Sequence, residues 1–398
     1  HGHPNFSKGG AEIASYNLYK GINETAEHEA WFVSHGDDDL MHQGTTVAAI
    51  SERQYFLRGN AGIDHLSSTI PLGSHSDFAD MLRAIKPDVI HFHHYIKFGV
   101  ETILAAKKIC PSAKIILTLH EFIAICSNFG QMVKTDGRLC YKYSPLDCHK
   151  CLPNKTPEDF FLRERFIKVF FNRVDLFICP SEFLKARYSD WGLCDKQIKV
   201  VENGLAISEP ENPRILNKNE KRGKFAYFGQ IHKHKGLNII LEAFSSLPKK
   251  TSKHTSLSIY GDYSHSQNDP VVNQIKQLSE DEMSNVNYYG PYEQRELGQL
   301  MAGVDWVIMG STWWENSPIV IQESFKYGRP IIVPDIGGMA EKVKPGIGGL
   351  NYRARDSLSL ASILRRIVDA PELFDSVHRT IPAYPKIAEI VEKHIKLY

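Results

Sequence analysis

Trp314-Glu315-Asn316-Ser317-Pro318-Ile319-Val320-Ile321-Gln322-Glu323 places two carboxylates in a Glu-x7-Glu spacing. Two helical turns separate residues seven or eight apart, so both carboxylates can point the same way. Between them, Asn316-Ser317-Pro318 reads as a loop turning into a helix, with Pro318 at its first position. Backbone N–H groups at such a helix start can hold a phosphate. The stretch therefore predicts a clamp for a nucleotide-sugar, with one carboxylate on the sugar, amides on the diphosphate and the other carboxylate on the ribose. An amphipathic helix with two acidic residues is the plainer reading, and the rest of the chain decides between them.

Outward from this stretch, strand-like runs alternate with helical patterns, which predicts a parallel sheet in each half. In the first half these runs are Val89–His93, Lys114–Leu119, Asp175–Cys179 and Lys199–Gly204. In the second they are Phe225–Gly229, Leu257–Gly261, Val286–Gly290, Asp305–Met309 and Pro330–Val333. Several end in Gly or Pro, which puts turns at the carboxyl ends of strands, where open α/β sheets bind ligands. Between the halves, Ser208 to Arg222 is rich in Pro, Asn, Glu and Lys and reads as a linker. Pro385 to Tyr398 reads as a terminal amphipathic helix. His1-Gly2-His3-Pro4 runs straight into a glycine loop, although a doubly wound domain normally opens with a strand. Either the numbering begins inside the true chain or that strand is missing from it.

The 398 residues suffice for two domains with full cores. A formal net charge of +1 gives no global footprint for nucleic acid. No run of about 18 apolar residues predicts a membrane span, and no secretory signal is visible. Seven cysteines, an odd number, favour a reducing compartment over a disulfide framework.

Further motifs carry chemistry. Lys8-Gly9-Gly10-Ala11-Glu12 opens a helical pattern whose glycines let a ligand approach the backbone closely. His120 follows an apolar strand, where an imidazole can donate to a sugar hydroxyl or a phosphate. His91, His93 and His94 lie on and just past another strand and read as core or loop-lining residues rather than metal ligands. Phe228-Gly229-Gln230-Ile231-His232-Lys233-His234-Lys235-Gly236 ends a strand and offers Lys235 to a leaving diphosphate. Gly337-Gly338 follows a strand and starts a helix, but no Gly-x-Gly-x-x-Gly occurs in that context, which disfavours an NAD enzyme. Thr156 to Arg173 interleaves phenylalanines with basic residues, reading first as a buried helix with a basic outer face and second as a membrane-surface helix.

Cys126, Cys140, Cys148 and Cys151 fall in one loop poor in apolar residues, and the last two form a Cys-x2-Cys. Such a loop needs a staple. Four thiolates around one structural zinc would supply it. Two disulfides or free thiols are the alternatives.

In their order along the chain, several motifs together resemble glycosyltransferase family four, retaining enzymes of the GT-B fold. They are Gly9-Gly10-Ala11-Glu12, Asp88 with His91–His94, Thr118–Glu121, Pro180-Ser181, Asn203-Gly204, Phe228-Gly229 with Lys235-Gly236, Glu315 to Glu323, and Gly337-Gly338 with Glu341. The resemblance implies an α/β fold of two Rossmann-like doubly wound domains facing across a cleft. An acceptor-side domain would span 1–204, with a Cys-rich insert at 126–151. A linker over 205–222 would lead to a nucleotide-sugar domain over 223–380. A terminal segment over 381–398 would cross back to the first domain. Glu315 would contact the donor sugar, Glu323 the ribose and Lys235 the diphosphate. Amides near Ser317, Pro318 and Ile319 would hold phosphate and sugar, His120 would lie over the sugar, and Gly10 would line the acceptor and phosphate side. Gln230 stands where many members carry arginine, so Lys233, His234 or Lys235 must meet more of the phosphate charge.

The resemblance further implies retention of the anomeric configuration, with no catalytic cofactor and no metal at the donor. The expected partners are a nucleotide-diphosphate sugar and a glycan or lipid-linked acceptor, in surface polysaccharide biosynthesis. The expected location is cytoplasmic, with a peripheral contact at the inner face of the membrane. A nucleotide-sugar epimerase of the same fold and a non-catalytic GT-B binding module are the alternatives.

Overall fold

The apolar runs become the centres of parallel sheets. Parallel strands carry crossover helices on both faces, so their residues are buried on both sides. Ile115, Ile116 and Leu117 accordingly have no exposed surface, nor do Ile331, Ile332 and Val333. The computed structural model describes residues 2–6, 9–59, 67–206, 212–281 and 284–398. Lys8 and the linker positions 207–211 lie outside the described residues.

The chain divides into two compact units, one of His1–Ala206 with Pro385–Tyr398 and the other of Ile207–Tyr384. The first holds two sheets. Strands β1 (Phe32–Gly36), β2 (Val47–Ser51) and β3 (Gln54–Arg58) form one, in the order β1-β3-β2, with β1 parallel and β2 antiparallel to β3. Strands β4 (Val89–Phe92), β5 (Lys114–Thr118), β6 (Leu176–Cys179) and β7 (Ile198–Val200) form the other, parallel throughout and in sequence order. Val201 to Gly204, expected as strand, lie beyond β7.

The terminal helix Ile387–Ile395 completes the core of this unit. Ile390 packs with Ile116, Leu176, Ile178 and Val201, and Val391 packs with Leu18 and Ile22. Lys114 Nζ donates to the Leu397 carbonyl at 2.6 Å. His91 bonds Tyr398 Oη at 2.8 Å and Thr118 Oγ1 at 2.7 Å, which accounts for it as a core histidine.

The basic-aromatic helix is Pro157–Phe171, capped by Thr156 and Asp159 in a capping box. It buries Phe160, Ile167, Phe170 and Phe171. Arg163 is turned inward onto the carbonyls of Ile123 and Ala124, so part of the expected basic outer face is structural. Among the described residues no helix is long and apolar enough to cross a membrane.

The second unit is built on β8 (Lys224–Phe228), β9 (Ser256–Tyr260), β10 (Val286–Gly290), β11 (Trp306–Ile308), β12 (Ile331–Pro334), β13 (Lys344–Pro345) and β14 (Gly348–Tyr352). They form one sheet in the order β10-β9-β8-β11-β12-β14-β13, its ladders parallel. Sequence neighbours spread leftward from β8 and rightward from β11. The direction of winding therefore reverses between these two strands, and the loops leaving their carboxyl ends open a crevice there. At the opposite end of the crevice strands, Asp305 is fully buried and held by Arg214 and Arg222 at 2.8 and 3.2 Å.

Candidate active site

The loop after β8 and the loop after β11 meet at that reversal. Their contact is backbone on backbone. Gly236 has φ +63°, and a Cβ there would lie 2.0 Å from the Gly310 carbonyl oxygen. The Thr312 N–H donates to the His234 carbonyl at 2.9 Å, fixing the two loops against each other. This approach brings Lys235 to Glu315. Lys235 Nζ donates to Glu315 Oε1 at 2.7 Å, Ser311 Oγ at 2.8 Å and Trp313 Nε1 at 2.8 Å. All three donors converge on one oxygen. Among the described residues nothing donates to the other, Oε2. Burial pushes the Glu315 carboxyl up, but the Lys235 charge and the three hydrogen bonds outweigh it and hold the group below the ordinary carboxylate value. Glu315 is thus a preorganised anion with one oxygen engaged.

Glu315 does not lie on a helix with Glu323. The helix is Ile319–Lys326, Pro318 is its N-cap rather than its first residue, and Glu315 sits in the preceding loop. Pro318 has ψ 122°, an extended value, and the N–H of Ile321 is the first to reach back to its carbonyl, at 3.1 Å. A second close approach holds the Glu315 loop from behind. The Gly338 N–H donates to the Glu315 carbonyl at 2.7 Å, and a Cβ on Gly338 would lie 1.8 Å from the Asn316 carbonyl oxygen. The expected Gly337-Gly338 motif therefore acts on protein backbone, shaping the loop that carries the carboxylate.

Glu323 is buried on the helix and accepts from Gln294 Nε2 at 2.7 Å. Burial raises its carboxyl above the ordinary value, opposed by that hydrogen bond and by Lys326. Above the ends of β8, β9 and β10 lies an aromatic group. Tyr260 stacks on Phe228 at 5.0 Å and on Tyr289 at 5.1 Å, and Tyr292 meets Phe228 edge-on at 5.5 Å. Tyr289 is exposed and leaves a free ring face. On the other flank His234 stacks on Trp313 at 5.4 Å. His232 is pushed down to about 4 by burial and the Lys235 charge, so it is neutral near pH 7. A cavity of about 580 Å³ opens beside it, lined by His232, Lys233 and His234 and by Ser264 and Asp269 from the next loop. Gln230 is exposed at the end of β8, its carbonyl taking the Tyr227 hydroxyl at 2.8 Å.

Thus Lys235, Gln230, Glu315, Ser317, Pro318, Ile319 and Glu323 all belong to the second unit, with Lys235 and Glu315 in direct contact. His120 and Gly10 belong to the first. His120 Nε2 lies 3.1 Å from His93 Nδ1, and the two rings stack. Burial holds His93 well below the usual histidine value, so the pair shares hydrogen-bonding rather than charge. Gly10 starts the helix Gly10–Asn23, and a Cβ on Gly9 would lie 2.2 Å from the Glu12 carboxylate, so that side chain folds back over the helix start.

The four insert cysteines all lie in the first unit. Among the described residues no group of three or more His, Cys, Asp or Glu is arranged to hold a metal ion. Three of the four sulfurs meet local backbone. Cys126 and Cys140 point at the carbonyls of Asn128 and Lys142, and Cys151 Sγ accepts from the Thr135 N–H at 3.3 Å. Burial pushes the Cys126 and Cys148 thiols up to about 11, which keeps them protonated. The insert also holds a hairpin closed by Val133 and Leu139 and the helix Pro145–Cys151, capped by Ser144.

Sequence reasoning missed Ser311, Trp313 and Gln294, the donors that set the two carboxylates. Ser311 and Trp313 were within reach, because a loop carrying a buried acid must supply its hydrogen bonds locally. Gln294 lies too far along the chain for any spacing argument.

Comparison with known proteins places this geometry. The family description "Glycosyltransferase Family 4" matches residues 8–209, and "Glycosyl transferases group 1" matches residues 208–382. An uncharacterised 41.2 kDa protein of the cps region of Klebsiella pneumoniae is 25% identical over 322 residues, covering 79% of this chain and 77% of its own. The lipopolysaccharide 1,2-N-acetylglucosaminetransferase of Salmonella typhimurium is 28% identical over 199 residues, covering 48% of this chain and 51% of its own. Among solved structures, Anabaena HepE in complex with UDP-glucose superposes with a TM-score of 0.67 at 17% identity, covering 98% of this chain and 96% of its own. With that fold, and a family match over more than half its length, the chain is a GT-B glycosyltransferase and belongs to glycosyltransferase family 4.

Proposed function

We propose that this glycosyltransferase moves a sugar, with retention, from a nucleoside-diphosphate sugar to a glycan or lipid-linked acceptor in surface polysaccharide assembly. The observation that carries the reading is the Lys235–Glu315 pair at the reversal of the second sheet, with one carboxylate oxygen unengaged. Glu315 Oε2 takes a donor-sugar hydroxyl. Glu323 exchanges Gln294 for the ribose hydroxyls. Amides at Ser317, Pro318's successor Ile319 and Val320 face the diphosphate, and the free face of Tyr289 offers a surface to the base. By the family resemblance His120 lies over the sugar and Gly10 lines the acceptor side.

In the transfer, the bond from the anomeric carbon to the diphosphate oxygen breaks, and its electron pair leaves with the diphosphate. The acceptor oxygen bonds the anomeric carbon on the same face, and its proton passes to the departing phosphate oxygen. Lys235 meets the charge that develops there, the work a metal would otherwise do. The UDP and UDP-glucose complexes of HepE, and the capsule-region and lipopolysaccharide relatives, support a uridine donor and a surface-glycan role. Peripheral contact with the inner face of the membrane, in the cytoplasm, fits a lipid-linked acceptor.

Incubation with a panel of sugar nucleotides and glycan or lipid-linked acceptors, read by NMR at the new linkage, tests this. A product with the donor's anomeric configuration, formed equally with a chelator present, is expected. An inverted product or an absolute need for added magnesium overturns the mechanism, and an epimerised donor without transfer overturns the function. Titration of UDP by calorimetry isolates Glu323. Glu323→Ala is expected to weaken binding by about 10- to 150-fold, the worth of a charged hydrogen bond of roughly 1.5–3 kcal/mol. Because burial raises the Glu323 carboxyl, wild-type affinity falls as pH drops through that raised value, and in Glu323→Gln it does not. Equal UDP affinity in wild type and alanine variant removes the ribose contact.

A further inference from the structure

β4 and β5 run parallel, and their facing side chains continue past the strand ends as a ladder. Successive side chains of a strand point to opposite faces. On one face His91 and His93 therefore stand beside Thr118 and His120. His91 Nε2 lies 2.7 Å from Thr118 Oγ1, and His93 Nδ1 lies 3.1 Å from His120 Nε2, each pair 27 residues apart. On the other face His94 and Glu121 keep the same offset, with Nε2 and Oε1 3.5 Å apart. All six residues belong to the first unit.

The backbone that carries His120 is pinned on either side. The Leu119 N–H donates to the Ile178 carbonyl at 2.8 Å, and the Tyr188 hydroxyl donates to the Glu121 carbonyl at 2.8 Å. These bonds leave two things to be set, the rotation of the imidazole and the nitrogen that carries its proton. His93 meets both. Its ring stacks on His120 at 5.4 Å with 26° between the planes. His93 is supported in turn by His91, whose ring lies 4.1 Å away. His91 is bonded at both nitrogens, to Tyr398 Oη at 2.8 Å and to Thr118, so it makes a fixed wall.

Two neutral imidazoles that meet nitrogen to nitrogen share one proton. Burial and the neighbouring imidazoles hold His93 well below the usual histidine value, so it is neutral near pH 7. If its Nδ1 donates, a neutral His120 accepts on Nε2 and carries its own proton on Nδ1. If His120 donates from Nε2, its Nδ1 is bare. One hydrogen bond thus decides whether Nδ1 of His120 offers a proton or a lone pair.

We propose that His93 is the positioning residue of His120, fixing the ring orientation and the single tautomer with which His120 meets the donor sugar. The proposal rests on the reading of His120 over that sugar. It gives a task in the reaction to a histidine that the sequence pattern marks only as core or loop-lining.

The test uses the full chain labelled with ¹⁵N-histidine, beside His93→Phe, His93→Asn and His120→Ala. The signals lost in His120→Ala identify the ring nitrogens of His120. Phenylalanine keeps an aromatic ring without a nitrogen, and the asparagine amide offers a donor or an acceptor close to where Nδ1 stood. One tautomer of His120 is expected in wild type and His93→Asn, and a mixture with averaged nitrogen shifts in His93→Phe. Turnover is expected to fall roughly 10- to 100-fold in His93→Phe, the scale on which a misplaced active-site group costs rate. UDP affinity and melting temperature stay close to wild type there, and His93→Asn keeps most of the turnover. Unmoved His120 shifts in His93→Phe overturn the proposal, as does an equal loss of turnover in the phenylalanine and asparagine variants. Wild-type turnover in His120→Ala also overturns it, but through the reading of His120 at the sugar. Shifts that still move in substrate-free His93→Phe tell that failure from the other.

Discussion

Lys235→Ala is expected to lower turnover by roughly 10²–10³-fold, the usual cost of removing one preorganised group from developing transition-state charge. The ammonium has two partners in succession. In the resting chain it neutralises Glu315 at 2.7 Å, and in the transfer we propose it meets the departing phosphate. Its loss therefore leaves an anion in a buried place as well as an unmet charge on the leaving group. Burial alone raises the Glu315 carboxyl, so without Lys235 the group gains a proton near neutral pH more readily. The double variant Lys235→Ala with Glu315→Gln separates the two effects. If the lysine served only to neutralise Glu315, the double variant would turn over no more slowly than Glu315→Gln alone. If it acts on the phosphate, the double variant falls well below Glu315→Gln. Single-turnover rates at saturating donor, with a thermal melt to confirm folding, give the answer. Wild-type turnover in Lys235→Ala would sink the assignment.

Glu315→Gln is expected to lower turnover by roughly 10²-fold while UDP affinity changes little. The amide keeps the shape, but its NH₂ cannot accept from Lys235, and its oxygen carries no charge toward the sugar. UDP lacks the sugar, so its affinity reports the phosphate and ribose contacts without it. Unchanged turnover removes Glu315 from the reaction, and an equal loss in UDP affinity makes it a structural support instead. The sign of its pH dependence is fixed by the structure. Its folded pKa is lowered, so the stability contributed by the pair is fully present above the ordinary carboxylate value. That contribution is lost as pH falls through the lower folded value.

Five of the seven strands of the second unit, all but β13 and β14, were legible because parallel strands buried on both faces are short continuous apolar runs. Phe225–Gly229 and Leu257–Gly261 were displaced by only one residue from β8 and β9. β1, β2 and β3 passed unrecognised. Gln54–Arg58 mixes polar, aromatic and basic residues, and Val47–Ser51 ends in exposed positions, so neither shows a clean period. The Glu-x7-Glu spacing, with Asn316-Ser317-Pro318 read as a loop turning into a helix, came within one residue of the helix start, but it could not show that Glu315 is positioned by a loop whose path is set by Gly236, Gly310 and Gly338, far apart in sequence. The arrangement of the four insert cysteines was not legible for a related reason. Spacing describes two ligands on one turn, but whether the other two sulfurs converge depends on how the whole insert folds.

The return of Pro385–Tyr398 to the first unit has a consequence for synthesis. A ribosome delivers Ile116, Leu176 and Val201 long before Ile390, which covers them, and Leu18 and Ile22 long before Val391, which covers those. The unit begun first is thus finished last. Until Pro385–Tyr398 has been made, an apolar patch on the nascent chain stands open while the second unit, whose segment Ile207–Tyr384 is contiguous, can already close around its own sheet. Emergence of that segment becomes the checkpoint for the first unit, and a chain cut short before it is a molecule with a complete second unit and an exposed surface for chaperones to recognise.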